Sequence, residues 1–391
     1  MRAESWETGS LRANPLFEAL MLTKYPSVIK GYSAVVLSSV AEVQSLQPLV
    51  RRSLLQNDIL HDPEYFLASV SEGWTPRVVA VRHGRELAGV VCAKERILTG
   101  FRLGVVYADL TFGSTLFGDP LEQQDTFLIA LETLLASAGT RGIRLRVRRR
   151  SPELAAVRKL LASSRLDVHF SRVKDHASLS LPGTYEQLLL SFGYTTRHNF
   201  RYYRRRFETA GHVYLDKLSL DELRLAAFYL EQKCSKPSQP HSIDRLLKMT
   251  ATADRPLAVG LKHRNGEWLS IIGGAYRPAA GVLLLQLNND REFPRDSLSV
   301  VLRGYLIESL IHQGMKEFII WAGTAPPLSR YVNQIPTLGI YLDSPEYKWR
   351  FVRGLVSKFG PWLPRQLKQD ASWIAPFSLK PRENSMPKLA L

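Results

Sequence analysis

The alternation of apolar and polar positions over residues 281–323 predicts a strand, a helix and a second strand. Residues 282–287 form a short apolar run bounded by turn residues, the pattern of a buried strand. After a polar segment, apolar positions recur at helical spacing over residues 298–310, and Asp296 or Ser297 is placed to cap the first turn. Residues 318–321 are a second buried strand. Such a unit presents a helix N-terminus, whose backbone N–H groups attract anions, at the strand ends.

The flanking patterns predict a similar order in both halves of the chain. Three strands at residues 257–261, 268–275 and 282–287, the first two joined by a turn at Asn265-Gly266, lead into that unit. Earlier in the chain, a hairpin over residues 77–92 precedes a strand at 105–110, an amphipathic helix at 121–137 and a strand at 143–147. One more strand is predicted at 340–342.

An arginine-rich segment over residues 191–211 predicts a two-faced helix. At helical spacing its aromatic residues share one face, and Thr195 or Thr196 can cap its start while Gly211 ends it. Guanidinium groups suit bidentate contacts with phosphate or carboxylate, although a plain solvated face is the alternative. The apolar face comprises Phe200, Tyr203 and Phe207, and the opposite face Arg197, Arg201, Arg204, Arg205 and Glu208.

A second basic segment, residues 141–150, contains six arginines that alternate with apolar residues. That alternation is typical of a strand with one basic face. The segment is interpreted either as a solvated strand face with its exit turn, which is favoured, or as a basic edge that contacts an anionic partner.

Composition narrows the function classes. The 391 residues can bury two cores, and the net charge of +16 favours anionic partners such as phosphate-bearing cofactors, tRNA, DNA or acidic lipid surfaces. Two distant cysteines, Cys92 and Cys234, form no disulfide framework, and no apolar stretch is long enough for a transmembrane segment. We therefore expect a cytoplasmic protein. The histidines lack metal-ligand spacing, so no metal is expected, and hydrolase, P-loop and dinucleotide-binding motifs are absent from the sequence.

The second half, residues 180–345, resembles the acyl-CoA N-acyltransferase (GNAT) superfamily, in its BioF2-like or CelD-like acetyltransferase branch, which is related to the FemAB aminoacyltransferases. Three features carry the resemblance: the arginine-rich run at 197–205, the strand and helix over 283–314, and the strand end at 318–323 that precedes Tyr331. The resemblance implies an α/β fold with a mixed sheet, as a tandem GNAT-like pair. The expected division is a lead-in at 1–31, a degenerate GNAT-like domain at 32–182, a GNAT-like acyltransferase domain at 183–345, an aromatic helical extension at 346–379 and a tail at 380–391.

The resemblance also implies a reaction and a set of site residues. Acyl-CoA, with an acetyl or a longer acyl group, would be the co-substrate, and the acyl group would move to an amine of a sugar, amino acid or lipid or polysaccharide precursor. Each candidate residue also has a structural alternative as a cap, a turn or a core hydroxyl. Asp290 and Asp296 are expected to act as the catalytic base or to orient the amine, and Tyr331 to act as the acid toward the leaving thiolate. Phosphates at the helix start are expected to be bound by Arg291, Arg295, Ser297 and Leu298, the last two through backbone N–H. An anionic acceptor, or the donor phosphates, is expected to be bound by Arg197, Arg201 and Arg205.

Departures from the family pattern keep other functions open. The turn before the central helix is 293–297, Phe-Pro-Arg-Asp-Ser, where relatives commonly have a Ser-Pro-Gly-like turn, and Val332 stands where a lysine is usual. The Gly-rich pyrophosphate loop of ordinary GNAT enzymes is missing. The alternatives are a tRNA-dependent aminoacyltransferase of FemAB type, a non-catalytic nucleic-acid- or anion-binding protein, and a degenerate member that acts in surface-polymer assembly. Peripheral membrane contact also stays open.

Overall fold

The computed structural model of this chain describes residues 31–53, 59–98, 101–110, 114–163, 167–171, 173, 175–234, 242–321, 324, 327–343, 354–356, 358–359 and 362. The predicted lead-in, most of the C-terminal aromatic extension and the tail lie outside this part. The described strands are β1 (Tyr32–Leu37), β2 (Trp74–Pro76), β3 (Val78–His83), β4 (Glu86–Val91), β5 (Ala93–Leu98), β6 (Phe101–Asp109), β7 (Thr115–Leu116), β8 (Gly142–Arg148), β9 (Asp167–Ser171), β10 (His176–Ser180), β11 (Val213–Leu215), β12 (Pro256–Lys262), β13 (Trp268–Tyr276), β14 (Ala280–Asn288), β15 (Glu317–Ile320), β16 (Asn333–Ile335) and β17 (Thr337–Asp343).

Helices cover the sheets and connect the strands. Several start at side-chain caps that the sequence supplies, such as Asp119 with Glu122 and Ser219 with Glu222, each pair forming a capping box. The described α-helices are α1 (Val40–Gln44), α2 (Gln47–Ser53), α3 (Pro63–Ala68), α4 (Pro120–Ala136), α5 (Pro152–Ser163), α6 (Tyr185–Ser191), α7 (Tyr194–Thr209), α8 (Leu220–Lys233), α9 (Ser242–Thr252) and α10 (Leu298–His312).

Two parallel strand–helix–strand units form the centre of the fold. In the first half β6 pairs in parallel with β8 across α4, and in the second half β14 pairs in parallel with β15 across α10. The meander β12–β13–β14 is antiparallel, and Gly266 in its first turn has a φ of 95°, which a residue without Cβ adopts at little cost. The predicted α/β architecture with mixed sheets, duplicated along the chain, is confirmed.

The sheets exchange strands between the two halves. The seven-stranded sheet has the order β11-β12-β13-β14-β15-β10-β16, and the six-stranded sheet has the order β2-β5-β6-β8-β17-β9. Thus β10, which precedes residue 183, pairs with β15, and β17, from the end of the second half, pairs with β8 and β9. The division at residues 183 and 345 stays a prediction, and strand pairing crosses it in both directions.

One of the hydrophobic clusters draws on both halves. Residues of β3 and β4, such as Val78 and Val90, share a buried cluster with Met249 of α9 and with Val282 and Leu284 of β14. A separate cluster beneath α4 and α5 fills one face of the six-stranded sheet. The shared cluster packs the two halves against each other. On the face of the six-stranded sheet opposite α4 and α5, Lys94 of β5 lies near Arg245 of α9.

Candidate functional site

The parallel strands β14 and β15 diverge and leave an open strand edge. Their pairing runs from Ala280 opposite Glu317 to Leu283 opposite Ile320, and the N–H of Trp321 donates the last hydrogen bond, 3.1 Å, to the Leu283 carbonyl. Beyond this point β14 continues to Asn288 and, among the described strands, pairs only with β13. No described strand pairs with the other side of residues 284–288, which borders the gap between β14 and β15, here called the splay.

Arg303 of α10 spans the splay. Its Nε donates a 2.7 Å hydrogen bond to Oε1 of Gln286 on β14, and its Nη1 donates a 2.7 Å hydrogen bond to Oγ1 of Thr324, which follows β15. Burial lowers the pKa of Arg303 to about 10, which still leaves the guanidinium charged at neutral pH. Its Nη2 has no hydrogen-bond partner among the described residues, so it remains a donor for a group that enters the splay.

A chain of polar side chains fixes the orientation of the Arg303 partner. Ser270 Oγ donates to Oδ1 of Asn288 over 2.7 Å, and Nε2 of Gln286 donates to the same oxygen over 3.4 Å. Because the amide nitrogen of Gln286 points toward Asn288, its carbonyl oxygen faces Arg303. The guanidinium is thus held by groups that were positioned before any ligand arrives.

The start of α10 differs from the prediction. Ser297 occupies the N-cap position, but its side chain makes no capping hydrogen bond, and its backbone is left-handed with a φ of 46°. Asp296 does not cap the helix either, because its carboxylate forms a 2.8 Å ion pair with Arg206 of α7. The predicted capping by these two residues is therefore wrong. The first N–H groups of α10, including that of Leu298, have no side-chain cap and are available to an anion.

The residues predicted to bind donor phosphates are only partly brought together. Leu298 buries its side chain in the core, and Arg295 is exposed on the loop before α10. Arg291 donates from Nη1 to the Gln232 carbonyl over 3.0 Å, so its side chain lies at the C-terminal end of α8. The arrangement joins Arg295, Ser297 and Leu298 at the helix start, while Arg291 is held elsewhere. Their role in phosphate binding stays a prediction.

The three predicted catalytic residues do not form one constellation. Asp290 lies near Cys234 at the end of α8, where its charge helps to raise the pKa of the thiol after the larger effect of burial. Asp296 contacts Arg206 in the last turn of α7, whereas Tyr331 contacts Gly193 at the start of the same helix. Since an α-helix rises about 1.5 Å per residue, these two ends of α7 are roughly 20 Å apart. No single substrate position could touch all three.

Tyr331 joins the loop after β15 to the first turn of α7. Its hydroxyl accepts a 2.9 Å hydrogen bond from the N–H of Gly193 and contacts Thr196 Oγ1 at 3.4 Å. Both contacts lower the pKa of Tyr331 from its ordinary value, and the contact with Thr196 has the larger effect. Gly193 is the N-cap of α7 without a side-chain cap, so the predicted capping by Thr195 or Thr196 is wrong. Tyr331 contributes instead by satisfying one of the N–H groups at the helix start.

The predicted arginine row lies along the exposed side of α7. Arg201 and Arg205 are exposed and Arg197 is half-buried, while Phe200 and Phe207 are buried on the opposite side, as predicted. Arg201 forms a 2.6 Å ion pair with Glu186 of α6. Beside these arginines, three rings are stacked along the same helix, with centroids 6.0 Å apart for Tyr194 and His198 and 5.9 Å apart for His198 and Tyr202. The resulting arginine–aromatic strip consists of Arg197, Arg201 and Arg205 with Tyr194, His198 and Tyr202.

Arg204 does not belong to this exposed row, contrary to the prediction. Its Nη1 donates to Glu308 of α10 over 2.7 Å, its Nε donates to Glu208 over 3.0 Å, and its guanidinium lies 4.3 Å from the ring centroid of Tyr305. Arg204 therefore fixes α7 against α10. Because α10 also supplies Arg303, this contact links the position of the strip to that of the splay.

Arg303 itself was not predicted from the sequence. The sequence does contain a signal for Arg303. The residue stands three positions before Leu306 and four before Ile307, in a helix that buries side chains on nearly all sides. A charged residue in such a helix must find polar partners inside the fold. Neither a bilayer-spanning helix nor a cluster of metal-ligating side chains occurs in the part of the chain that the structure describes.

Comparison with known proteins relates this geometry to solved structures. No described protein family matches the sequence, and no curated protein of similar sequence was found. The crystal structure of FemX is similar over 78% of this chain and 96% of the FemX chain, with 12% sequence identity and a TM-score of 0.53. A tandem GNAT protein from the clavulanic acid biosynthesis pathway, solved without AcCoA, is similar over 80% and 98%, with 11% identity and a TM-score of 0.48.

A third solved structure, L-PGS from Bacillus licheniformis, is similar over 78% of this chain and 92% of its own, with 12% identity and a TM-score of 0.44. At these identities only the likeness to FemX supports an argument, and it concerns the fold. Together with the two parallel strand–helix–strand units, it confirms the predicted tandem GNAT-like fold, which the chain shares with FemX.

Proposed function

We propose that the chain transfers an acyl group from an acyl-CoA to an amine of a sugar, amino acid or lipid or polysaccharide precursor. The observation that carries the proposal is the splay, where an open strand edge lies beside Arg303, whose Nη2 has no hydrogen-bond partner among the described residues. The helix that carries Arg303 begins five residues earlier, at Leu298, without a side-chain cap. The open edge offers backbone partners for an extended amide-bearing chain, and the helix start offers N–H groups for phosphates.

The splay supplies the electrostatic requirement of acyl transfer. When an amine nitrogen attacks a thioester carbonyl, a C–N bond forms, the carbonyl oxygen becomes an oxyanion and the C–S bond then breaks. A guanidinium aimed into the splay would stabilise that oxyanion, because its position is fixed in advance by Gln286 and Thr324. The attacking amine must lose a proton and the thiolate must gain one. Asp290, Asp296 and Tyr331 stay the predicted groups for these transfers, but Asp296 and Tyr331 lie at opposite ends of α7, so at most one of these two would act at the splay.

The remaining candidates would bind rather than react. Arg295 and the N–H groups of Ser297 and Leu298 would hold donor phosphates at the start of α10. Arg291, earlier in the same loop, would join them only by giving up its hydrogen bond to the Gln232 carbonyl. The guanidinium groups of Arg197, Arg201 and Arg205 would hold an anionic acceptor.

A second candidate function is aminoacyl transfer from tRNA. It is favoured by the arginine–aromatic strip, because exposed rings that stack on one another beside guanidinium groups also suit the stacking of unpaired bases and contact with the phosphate backbone. The same chemistry at the splay would serve, since an aminoacyl ester also passes through an oxyanion.

Thermal stability with a panel of donors tests both candidates. A ligand that binds only the folded state raises the melting temperature, by the equivalent of about 2.7 kcal/mol at a concentration of 100 Kd. A rise with acetyl-CoA or a longer acyl-CoA, larger than that with free CoA, supports acyl-CoA as the donor. A rise with bulk tRNA alone at physiological salt favours aminoacyl transfer. No rise with either donor would contradict both.

A further inference from the structure

An exposed leucine precedes the arginine–aromatic strip. Leu190, in the last turn of α6, is 64% exposed, although Leu188 and Leu189 before it are buried in the core. Tyr194 begins α7 and is 76% exposed. It follows Leu190 by four positions, so the Cα atoms of the two residues are no more than about 14 Å apart. A large aliphatic side chain and a large aromatic one are therefore exposed to solvent on neighbouring helical turns.

The rest of the strip presents aromatic rings and positive charge side by side. Tyr202 is 48% exposed, and His198, which stacks on Tyr194 and on Tyr202, is exposed as well. Because residues four positions apart on an α-helix lie one above the other, the three rings form one line along α7 and the arginines form a second line beside it. The exposed side of α7 thus combines apolar ring surface with guanidinium groups.

The strip has a surplus of positive charge. Arg201 is paired with Glu186, whereas the guanidinium groups of Arg197 and Arg205 form no hydrogen bond or ion pair with another described residue. The next carboxylate along α7, that of Glu208, is already paired with an arginine outside the strip. Two of the three guanidinium groups are therefore available to an anionic surface.

We propose that the strip, together with Leu190, docks the protein on the surface of an anionic lipid membrane. Guanidinium groups bind lipid phosphates, and tyrosine rings are stable at the level of the head groups, where the ring is removed from water and the hydroxyl stays wet. An exposed leucine beside them can reach the boundary of the acyl chains. Contact with a membrane surface depends on this combination of buried apolar area and attraction to anionic lipids.

Leu190 favours a membrane over a nucleic acid as the partner. Unpaired bases stack on aromatic and guanidinium planes, which the strip offers, but an aliphatic side chain gives a base no ring to stack on. At a lipid interface the same side chain is removed from water, which stabilises the contact. A lipid surface therefore accounts for the leucine, the rings and the arginines, whereas RNA accounts only for the rings and the arginines.

Docking would also orient the splay. Arg204 fixes α7 against α10 through Glu308, and α10 carries Arg303, so a docked strip would hold the splay in one orientation relative to the membrane. The inference rests on the proposed function in one respect, namely that the anionic acceptor held by the strip would be met at the membrane surface. Docking itself requires neither a donor nor catalysis, so it is measured without them.

Co-sedimentation of the full chain with vesicles is the test. Vesicles of phosphatidylcholine alone are compared with vesicles of phosphatidylcholine and phosphatidylglycerol, and binding of bulk tRNA is measured in parallel, all at physiological salt. The double variant Arg201→Gln/Arg205→Gln removes two positive charges from the strip, and Leu190→Ser removes the exposed leucine. The melting temperature of each variant shows whether it is folded.

Helix α8 and the segment before it supply the matched controls. This helix packs on the opposite face of the seven-stranded sheet from α7, away from the strip. The double variant Lys217→Gln/Arg224→Gln removes two exposed positive charges there. Leu225→Ser removes a leucine that is 70% exposed, close to the 64% of Leu190.

We expect the wild type to sediment with the anionic vesicles and much less with phosphatidylcholine alone. Loss of the two arginines should weaken vesicle binding about 25-fold, because each arginine close to an anionic leaflet strengthens binding about fivefold. Leu190→Ser should weaken it about tenfold and leave tRNA binding unchanged. The control variants should bind vesicles as the wild type does.

Three results would overturn the inference: no sedimentation with anionic vesicles, an equal loss in the control variants, or wild-type vesicle binding by Leu190→Ser. Binding of tRNA that disappears in the arginine double variant, without any vesicle binding, would assign the strip to a nucleic acid instead. The melting-temperature shift with acyl-CoA tests the transfer proposal separately, so a failure of docking and a failure of transfer are distinguished.

Discussion

Replacement of Arg303 by methionine separates a role at the splay from a role in stability. Methionine keeps an unbranched side chain inside α10 and removes the guanidinium with its hydrogen bonds to Gln286 and Thr324. Two opposing effects set the change in the free energy of unfolding. The two hydrogen bonds from a charged donor stabilise the fold by about 1.5–3 kcal/mol each.

Burial of the guanidinium works against those hydrogen bonds. The fall in the pKa of Arg303 from 12.5 to about 10 corresponds to about 3 kcal/mol, at about 1.4 kcal/mol per pKa unit. The free energy of unfolding should therefore fall by no more than about 3 kcal/mol in Arg303→Met, with a value near zero if the hydrogen bonds are at the weak end. Equilibrium unfolding in urea measures this change.

Transfer activity should respond much more strongly than stability. If the guanidinium stabilises the oxyanion, its loss should lower the single-turnover rate about 100- to 1000-fold. Arg303→Lys keeps the positive charge, but an ammonium on a single stem cannot reproduce the planar fork that reaches both partners, so most of the loss should remain. Lys316→Met, which removes an exposed charge from the same strand–helix–strand unit, is the matched control and should leave the rate unchanged.

The reasoning is refuted by either of two results. A folded Arg303→Met variant that transfers the acyl group at the wild-type rate would show that the guanidinium does not act on the oxyanion. A loss of more than about 5 kcal/mol in the free energy of unfolding would show that Arg303 is mainly a structural residue.

Three further predictions concern residues on other surfaces. The double variant Arg201→Gln/Arg205→Gln should lower the free energy of unfolding by less than about 1 kcal/mol, because both side chains are exposed. A titration should show weaker binding of the acceptor or of tRNA. If the variant unfolds instead, the arginine row has a structural role. Ser297→Gly should raise the free energy of unfolding, measured in urea, by about 0.5–1 kcal/mol, because the left-handed backbone at this position favours glycine. A decrease would show that the serine is not strained there. The pKa of Lys94 is lower in the folded chain, about 7, than in the unfolded chain, 10.5. Between these values the unfolded chain binds more protons, so the free energy of unfolding of the wild type should rise with pH by up to about 1.4 kcal/mol per pH unit. In Lys94→Met that part of the rise should vanish, and an identical pH dependence in both proteins would refute the assignment.

Local patterns predicted the elements of the fold because those elements depend on neighbouring residues. The periodic run from Leu298 to Leu310 and the apolar runs at β14 and β15 are local signals, and the structure confirms all three elements. Cap positions were less predictable. Thr195, Thr196 and Ser297 are common capping residues, yet the starts of α7 and α10 are set by contacts with Tyr331 and Arg206, which lie far away in the sequence.

The exchange of strands between the sheets could not be predicted from periodicity. The pattern at 340–342 indicates a strand, but its pairing with β8 depends on residues almost two hundred positions earlier. The basic face of β8 was misjudged for the same reason. Alternation shows that Arg144 and Arg146 share a face, whereas only the packing of α9 and β10 shows that this face is turned toward the other half.

The same exchange brings the six-stranded sheet of the first half next to the splay. Trp321, the residue after β15, packs on His176 of β10 with ring centroids 4.3 Å apart, and His176 lies near Arg146 and Arg148 of the first half. Burial, together with the charges of those arginines, lowers the pKa of His176 to about 3, so the ring is neutral at physiological pH and adds no positive charge between the two regions. The exchanged strand β10 therefore joins the arginines of β8 to the point where β14 and β15 begin to separate.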